Sequence, residues 1–385
     1  MTFLGEGWPI FWERAAGVNV WDADGSRYLD FTSAFGVCGL GHGRAEIVAA
    51  GQKQMGALMH GMGDVHPTQL KGELCRELSK ITFERWGLGI GKTTLGGAGF
   101  EAIETALKTA RLRTGRTKVI AFDRGYHGLG YGALLGTDLE KFRGPFKDQL
   151  APVTVRLPYG QDPDEELKGE EIAAVLVEPV QGRGGKRFPP PEFLKTWRNW
   201  CDAHGVVLIF DEIYTGFWRT GELLASDWAG AKPDIICLGK ALSGGFPISA
   251  CVGKAEVMDA WPQSPGEALH TSTYLGNPVG CAMALAALKL HQEPTTEQEV
   301  RRLEAILSKS LQTFDLPGQK EFRGRGAMWG VEFSTNQGAL LGELLETGLI
   351  FLADGPEGNV LSFSPPFAMT EEEVEFACET IKSCF

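Results

Sequence analysis

No uncharged apolar run of about 18 residues occurs in the chain, and a membrane-spanning helix needs roughly that length, so no span is expected. The eight cysteines, from Cys38 to Cys384, include no CxxC pair and no metal-type spacing, which argues against a disulfide framework and against a zinc or other metal site. They read instead as reduced thiols of a cytoplasmic protein. Dense Lys/Arg clusters are also missing, and a formal net charge of −12 repels polyanions, so nucleic acid is disfavoured as a partner. The N-terminus has no basic leader, and Glu6, Glu13 and Arg14 interrupt its apolar residues, unlike a secretory signal. No internal repeat is found.

What remains is a chain of 385 residues, 43% hydrophobic and 22% charged, ordinary for a globular enzyme of about two domains. Short Val/Ile-rich runs alternate with helical patterns through the middle of the sequence, as parallel strands covered by helices on both faces do. Strands are expected at 118–123, 172–178, 206–211, 235–238 and 248–253, and helices at 101–113 and 191–204. Residues 17–30 read as a hairpin around Asp24-Gly25. The expected architecture is α/β: a large domain over residues 50–285 with a mostly parallel sheet, and a small α+β domain built from both chain ends, 1–49 and 286–385.

The stretch from Phe210 to Ser249 carries the chemistry. Asp211 ends one buried apolar run, where open α/β sheets bind ligands, and Lys240 follows another in a turn containing Gly239, Gly244 and Gly245. Pyridoxal phosphate chemistry needs this pair: a lysine amine to form the Schiff base, and an aspartate to keep the pyridine nitrogen protonated. Partial desolvation would help the lysine shed its proton and act as a general base. Upstream, Gly96-Gly97-Ala98-Gly99-Phe100 opens a helix, and helix N-termini hold phosphate.

These segments, with Tyr126-His127-Gly128, Glu178-Pro179-Val180-Gln181-Gly182 and His270 to Pro278, resemble the motifs of the class III (omega) pyridoxal-phosphate-dependent aminotransferases, in the family's order and over nearly the whole chain. The resemblance implies the fold type I architecture of pyridoxal-phosphate transferases. It implies that Lys240 and Asp211 are the catalytic and cofactor-binding pair, that Ile213 and Tyr126 face the cofactor ring, and that Gly99 and Phe100 hold its phosphate. Thr273 would reach the phosphate bound by a neighbouring subunit, making a homodimer with shared active sites. Glu178, Phe35 and Ser362 would lie on the substrate side. No metal is implied.

The sequence departs from the family pattern at several positions. Phe100 replaces a small, commonly hydroxylated residue, Tyr214 a glutamine, and Trp218 a glycine, which is expected to add bulk beside the site. Ser362 stands where many members place an arginine for the substrate carboxylate, and serine cannot supply that bidentate bond. Arg143, Arg183, Arg187 and Arg219 are candidates to compensate. The implied activity is ping-pong transfer of an amino group from a primary amine or omega-amino acid to an α-keto acid. An aminomutase or racemase of the same fold, and a non-catalytic cofactor-binding protein, are the alternatives, since fold alone does not fix function.

Overall fold

Apolar alternation near the start of the chain builds a hairpin first. The computed structural model describes residues 10–385. Strands β1 (Trp12–Ala16), β2 (Asn19–Asp22) and β3 (Arg27–Asp30) form an antiparallel meander. Its second turn lies at Asp24-Gly25, with Gly25 in the left-handed region at φ +86°.

The central sheet uses β4 (Gly91–Gly96), β5 (Lys118–Phe122), β6 (Thr154–Leu157), β7 (Ile172–Val177), β8 (Val207–Asp211), β9 (Ile235–Leu238) and β10 (Ser249–Lys254), in the order β4-β10-β9-β8-β7-β5-β6. Five neighbours, from β9 to β6, run parallel. β10 is antiparallel to both β9 and β4. β4 therefore points the same way as the parallel set, and all six of these strands end at one edge. β7, β8 and β9 are buried at every position, which is why they read as unbroken apolar runs.

Helix 99–114 buries Ala102, Ile103, Ala106 and Ala110 against one face, while helix 193–204 places Phe193, Trp197 and Cys201 against the other. The expected strands and helices occur with bounds shifted by a few residues. β4 and β6 were not expected, and a further hairpin follows in the C-terminal part of the chain. There β11 (Gln319–Arg325) turns at Gly326 into β12 (Met328–Phe333).

Two-residue β13 (Leu349–Ile350) pairs in parallel with β3, so the two ends of the chain share a sheet. β14 (Leu352–Asp354) and β15 (Val360–Phe363) complete a four-stranded sheet with β11 and β12. Between the sheets, Ser33, Ala34, Phe35 and Gly36 all adopt positive φ, a short left-handed turn. Such backbone costs a non-glycine residue about 1–2 kcal/mol, and Asp30 offsets that cost here. Its carboxylate accepts from Thr32 N, Thr32 Oγ1 and Ala34 N and pairs with His42 Nε2 at 2.8 Å. Among the described residues, no helix is long and apolar enough to cross a membrane.

Candidate active site

Because six strands end at one edge, the residues just after them converge. Gly99 follows β4, Tyr126 and His127 follow β5, Glu178 follows β7, Asp211 closes β8 and Lys240 follows β9. Together with Phe100, Ile213 and Tyr214 they line a cavity of about 340 Å³. That size lies in the range of small-ligand sites. A second cavity of about 260 Å³ shares Tyr126, Arg183, Tyr214 and Lys240 with the first, and is otherwise walled by Phe35, Leu352, Ala353 and Asp354.

Asp211 is buried, and its Oδ2 lies 2.8 Å from His127 Nδ1 while Oδ1 accepts from Ile213 N. The histidine fixes the carboxylate's rotamer and leaves it facing the cavity. Burial lowers the Lys240 ammonium below the usual lysine value, against the opposing pull of Asp211, Tyr214 and Glu178. The amine is thus easier to obtain neutral, as a nucleophile and base must be. The Lys240 Nζ stands 4.6 Å from the centre of the Tyr214 ring.

At the other end of the cavity the helix starting at Gly99 presents its first amides. Glu101 Oε2 accepts from Gly97 N and Ala98 N, and the amides of residues 99 and 100, at the first helical positions, have no partner within the helix. They form a ready anion seat. A Cβ at position 99 would come 3.1 Å from Ile213 Cδ1, close enough that the isoleucine would have to give way. The residues present therefore fit pyridoxal phosphate, with Lys240 for its carbonyl, Asp211 for its pyridine nitrogen, Ile213 and Tyr126 beside its ring, and the 99–100 amides for its phosphate.

Glu178 is also buried, accepting from Tyr126 N at 2.9 Å and Gly182 N at 3.0 Å. Burial raises its carboxyl from 4.5 to about 7, with Asp211 adding to the rise and His127 and the two amides opposing it. A folded-state value above the unfolded one means stability fully present below pH 4.5 and lost as pH rises through about 7. At about 1.4 kcal/mol per unit this is on the order of 3 kcal/mol. In cofactor-free protein, Glu178→Gln is expected to flatten urea-derived stability across that window; an unchanged slope would refute the assignment.

Phe35 is 57% exposed at the tip of the left-handed turn and faces the second cavity. Ser362 is buried in β15 between Gly330 and Leu352, and lines neither cavity. Thr273 is exposed in the loop before helix 278–291 and also lines neither. Trp218 does not add bulk beside the site. It lines neither cavity, and its indole donates to His291 O at 2.7 Å within the core.

Two features were not anticipated. His127 stands in the sequence only as the middle of its motif, and nothing there marks it as the partner of Asp211. Lys186, fully buried, forms an ion pair with Asp354 at 2.6 Å and donates to Tyr214 OH at 3.2 Å. Burial alone would lower Lys186, but Asp354 and Tyr214 outweigh it and the net shift is upward. Burial would likewise raise the Tyr214 phenol, yet Lys186 carries it below its ordinary value. Only the motif-less run Gly184-Gly185-Lys186 hinted at this, and its acid lies 168 positions away.

Residues 5–385 match the family described as aminotransferase class III. The chain is 35% identical to the acetylornithine aminotransferase of Methanopyrus kandleri over 370 residues, 96% of this chain and 92% of that one. It is also 35% identical to ornithine aminotransferase 2 of Staphylococcus aureus, covering 98% and 94% of the two chains. Among solved structures, an amine transaminase from an uncultivated Pseudomonas species in its pyridoxal-phosphate-bound form superposes with a TM-score of 0.89 at 26% identity, over 100% of this chain and 96% of that one. With the strand-end lysine, its paired aspartate and the glycine-opened helix in place, the chain belongs to the class III aminotransferases and is a pyridoxal-phosphate-dependent transaminase of fold type I.

Proposed function

We propose that this enzyme takes its amino group from a primary amine or omega-amino acid and passes it to an α-keto acid, as an omega-transaminase. The observation that carries the reading is the buried Ser362 in β15, at the position where the resemblance leads one to expect a carboxylate-binding arginine. A donor whose reacting carbon bears no carboxylate does not need that arginine.

Bound pyridoxal phosphate supplies an electrophilic carbon and a protonated ring that accepts electrons. The protein does the rest. Lys240, eased toward its neutral form by burial, would act as the general base that takes the proton from the donor's amine-bearing carbon, and would give a proton back to the same carbon when the keto acid is aminated. Asp211, oriented by His127, would hold the ring nitrogen, while the 99–100 amides would anchor the phosphate so the reacting atoms stay aligned. Tyr126 and Ile213 would stand beside the ring and exclude water there.

The site is read as shared between two copies of the chain, in the cytoplasm, where the eight free thiols stay reduced. Met55, Leu58, Met59, Met62, Val65, Leu269 and Tyr274 are exposed. Of these, Met59 and Tyr274 are brought together, since Asn277 Nδ2 donates to Met59 O at 3.1 Å and the Tyr274 ring meets His60. Apolar exposure on this scale marks an interface, and Thr273 lies in its midst.

The test is a half-reaction screen. Holoenzyme is mixed with amines, omega-amino acids and α-amino acids, its absorbance followed, and pyruvate or 2-oxoglutarate then added. Bleaching by amines or omega-amino acids, reversed by keto acid, is expected; turnover without any keto acid, or bleaching by α-amino acids alone, would overturn the donor assignment. Light scattering that gives the mass of a single chain would overturn the shared site.

A further inference from the structure

The wall of the second cavity carries both an acid and an arginine. Asp354, which lines it, is committed to Lys186 at 2.6 Å. Arg183 lines both cavities and, among the described residues, has no carboxylate in ion-pair contact. Its guanidinium carbon sits 5.1 Å from the centre of the Tyr126 ring and 5.4 Å from that of Phe142. Both rings attract the cation at these distances, and its interaction with the Tyr126 phenol leaves further guanidinium N–H donors. Lys141 stands close enough that Arg183 adds to the depression of its ammonium that burial begins. The two cations therefore stand near one another beside the substrate space, with Asp354, already paired to Lys186, pulling Lys141 the other way.

The other candidate arginines are occupied or remote. Arg219 is buried and spends its guanidinium on Ala327 O, Pro365 O and Ser33 Oγ. Arg187 donates to Asp123 Oδ1 and Gln181 Oε1. Arg143 lines neither cavity.

Resting on the transaminase reading, we propose that Arg183, with Lys141 beside it, binds the carboxylate of the omega-amino donor and of the keto acid, replacing the contact that Ser362 cannot make. Arg183 is then a specificity-determining residue, and the substrates it favours are carboxylate-bearing. A guanidinium edge gives two parallel charge-assisted bonds to a carboxylate, whereas lysine at the same place gives a point charge.

The experiment compares parent, Arg183→Gln and Arg183→Lys holoenzymes on a matched pair, 4-aminobutyrate and butylamine, and measures the binding of unreactive succinate by calorimetry. In Arg183→Gln, kcat/KM for 4-aminobutyrate is expected to fall about 10- to 100-fold further than for butylamine, chiefly through KM. Succinate should bind about 10-fold or more weaker, and Arg183→Lys should recover part of both losses. Equal losses for the two donors, or succinate bound as tightly by Arg183→Gln as by the parent, overturns the proposal. Should the parent turn over neither donor, the omega-donor reading has failed, and the succinate comparison still decides the role of Arg183.

Discussion

Turnover in Lys240→Ala is expected to fall about 10³- to 10⁴-fold, the upper range for loss of a positioned general base, with the absorbance band of lysine-bound cofactor gone. The reasoning is local. Lys240 is brought beside the Asp211 carboxylate by two adjacent parallel strands, and its φ of 46° aims the side chain back over the cavity. Among the described residues, no other lysine lines that cavity. Burial lowers the ammonium, so the group is prepared to lose a proton rather than merely to hold charge. A small exogenous amine such as methylamine should restore part of the rate in the variant, which a folding defect would not permit. Parent-like turnover in Lys240→Ala would remove this residue from the mechanism.

The largest effect on stability is expected at Asp354. Asp354→Asn leaves Lys186 charged, fully enclosed and unpaired, and breaking a buried pair from one side costs about 3–5 kcal/mol. The double variant Lys186→Met with Asp354→Asn should recover most of that loss, because the methionine carries no charge to desolvate. Urea unfolding of the two variants measures the difference; equal destabilisation by the single and double changes would show that the ion pair itself is not the source. The same lysine holds the Tyr214 hydroxyl, which in turn donates to Ser364 Oγ at 2.9 Å, so the single change should also loosen the wall between the two cavities.

What sequence could and could not show follows from how each residue is held. Asp211 and Lys240 were legible because each follows a buried apolar strand, and β8 and β9 are buried at every position. β4 was not: its sequence GKTTLG has little β character, and its pairing is supplied by β10 from more than 150 residues away. The left-handed turn at 33–36 is equally silent, since Ser, Ala and Phe carry no preference for that backbone. It exists because Asp30 and His42 grip it. Trp218 looked like bulk at the site only because its core partner, His291, could not be read from its neighbours. The Arg183 candidacy needed the structure for a different reason, since four arginines were open and only their partners separated them.

The turn that carries Phe35 also has a consequence in time. Ser33 Oγ donates to the carbonyl of Ser364, 331 positions later, and Ser364 N donates back to Phe31 O, while Leu29 waits for Leu349 to complete its edge. At translation rates of about 5–20 residues per second, tens of seconds separate the synthesis of the two sides. The central strands have by then emerged with their helices, so the cofactor-binding edge can form on the ribosome before the Phe35 wall has anything to lean on. Closing the substrate space is a late, long-range event, and a chain stalled or cut short before Ser364 would carry the cofactor machinery beside an unfinished pocket.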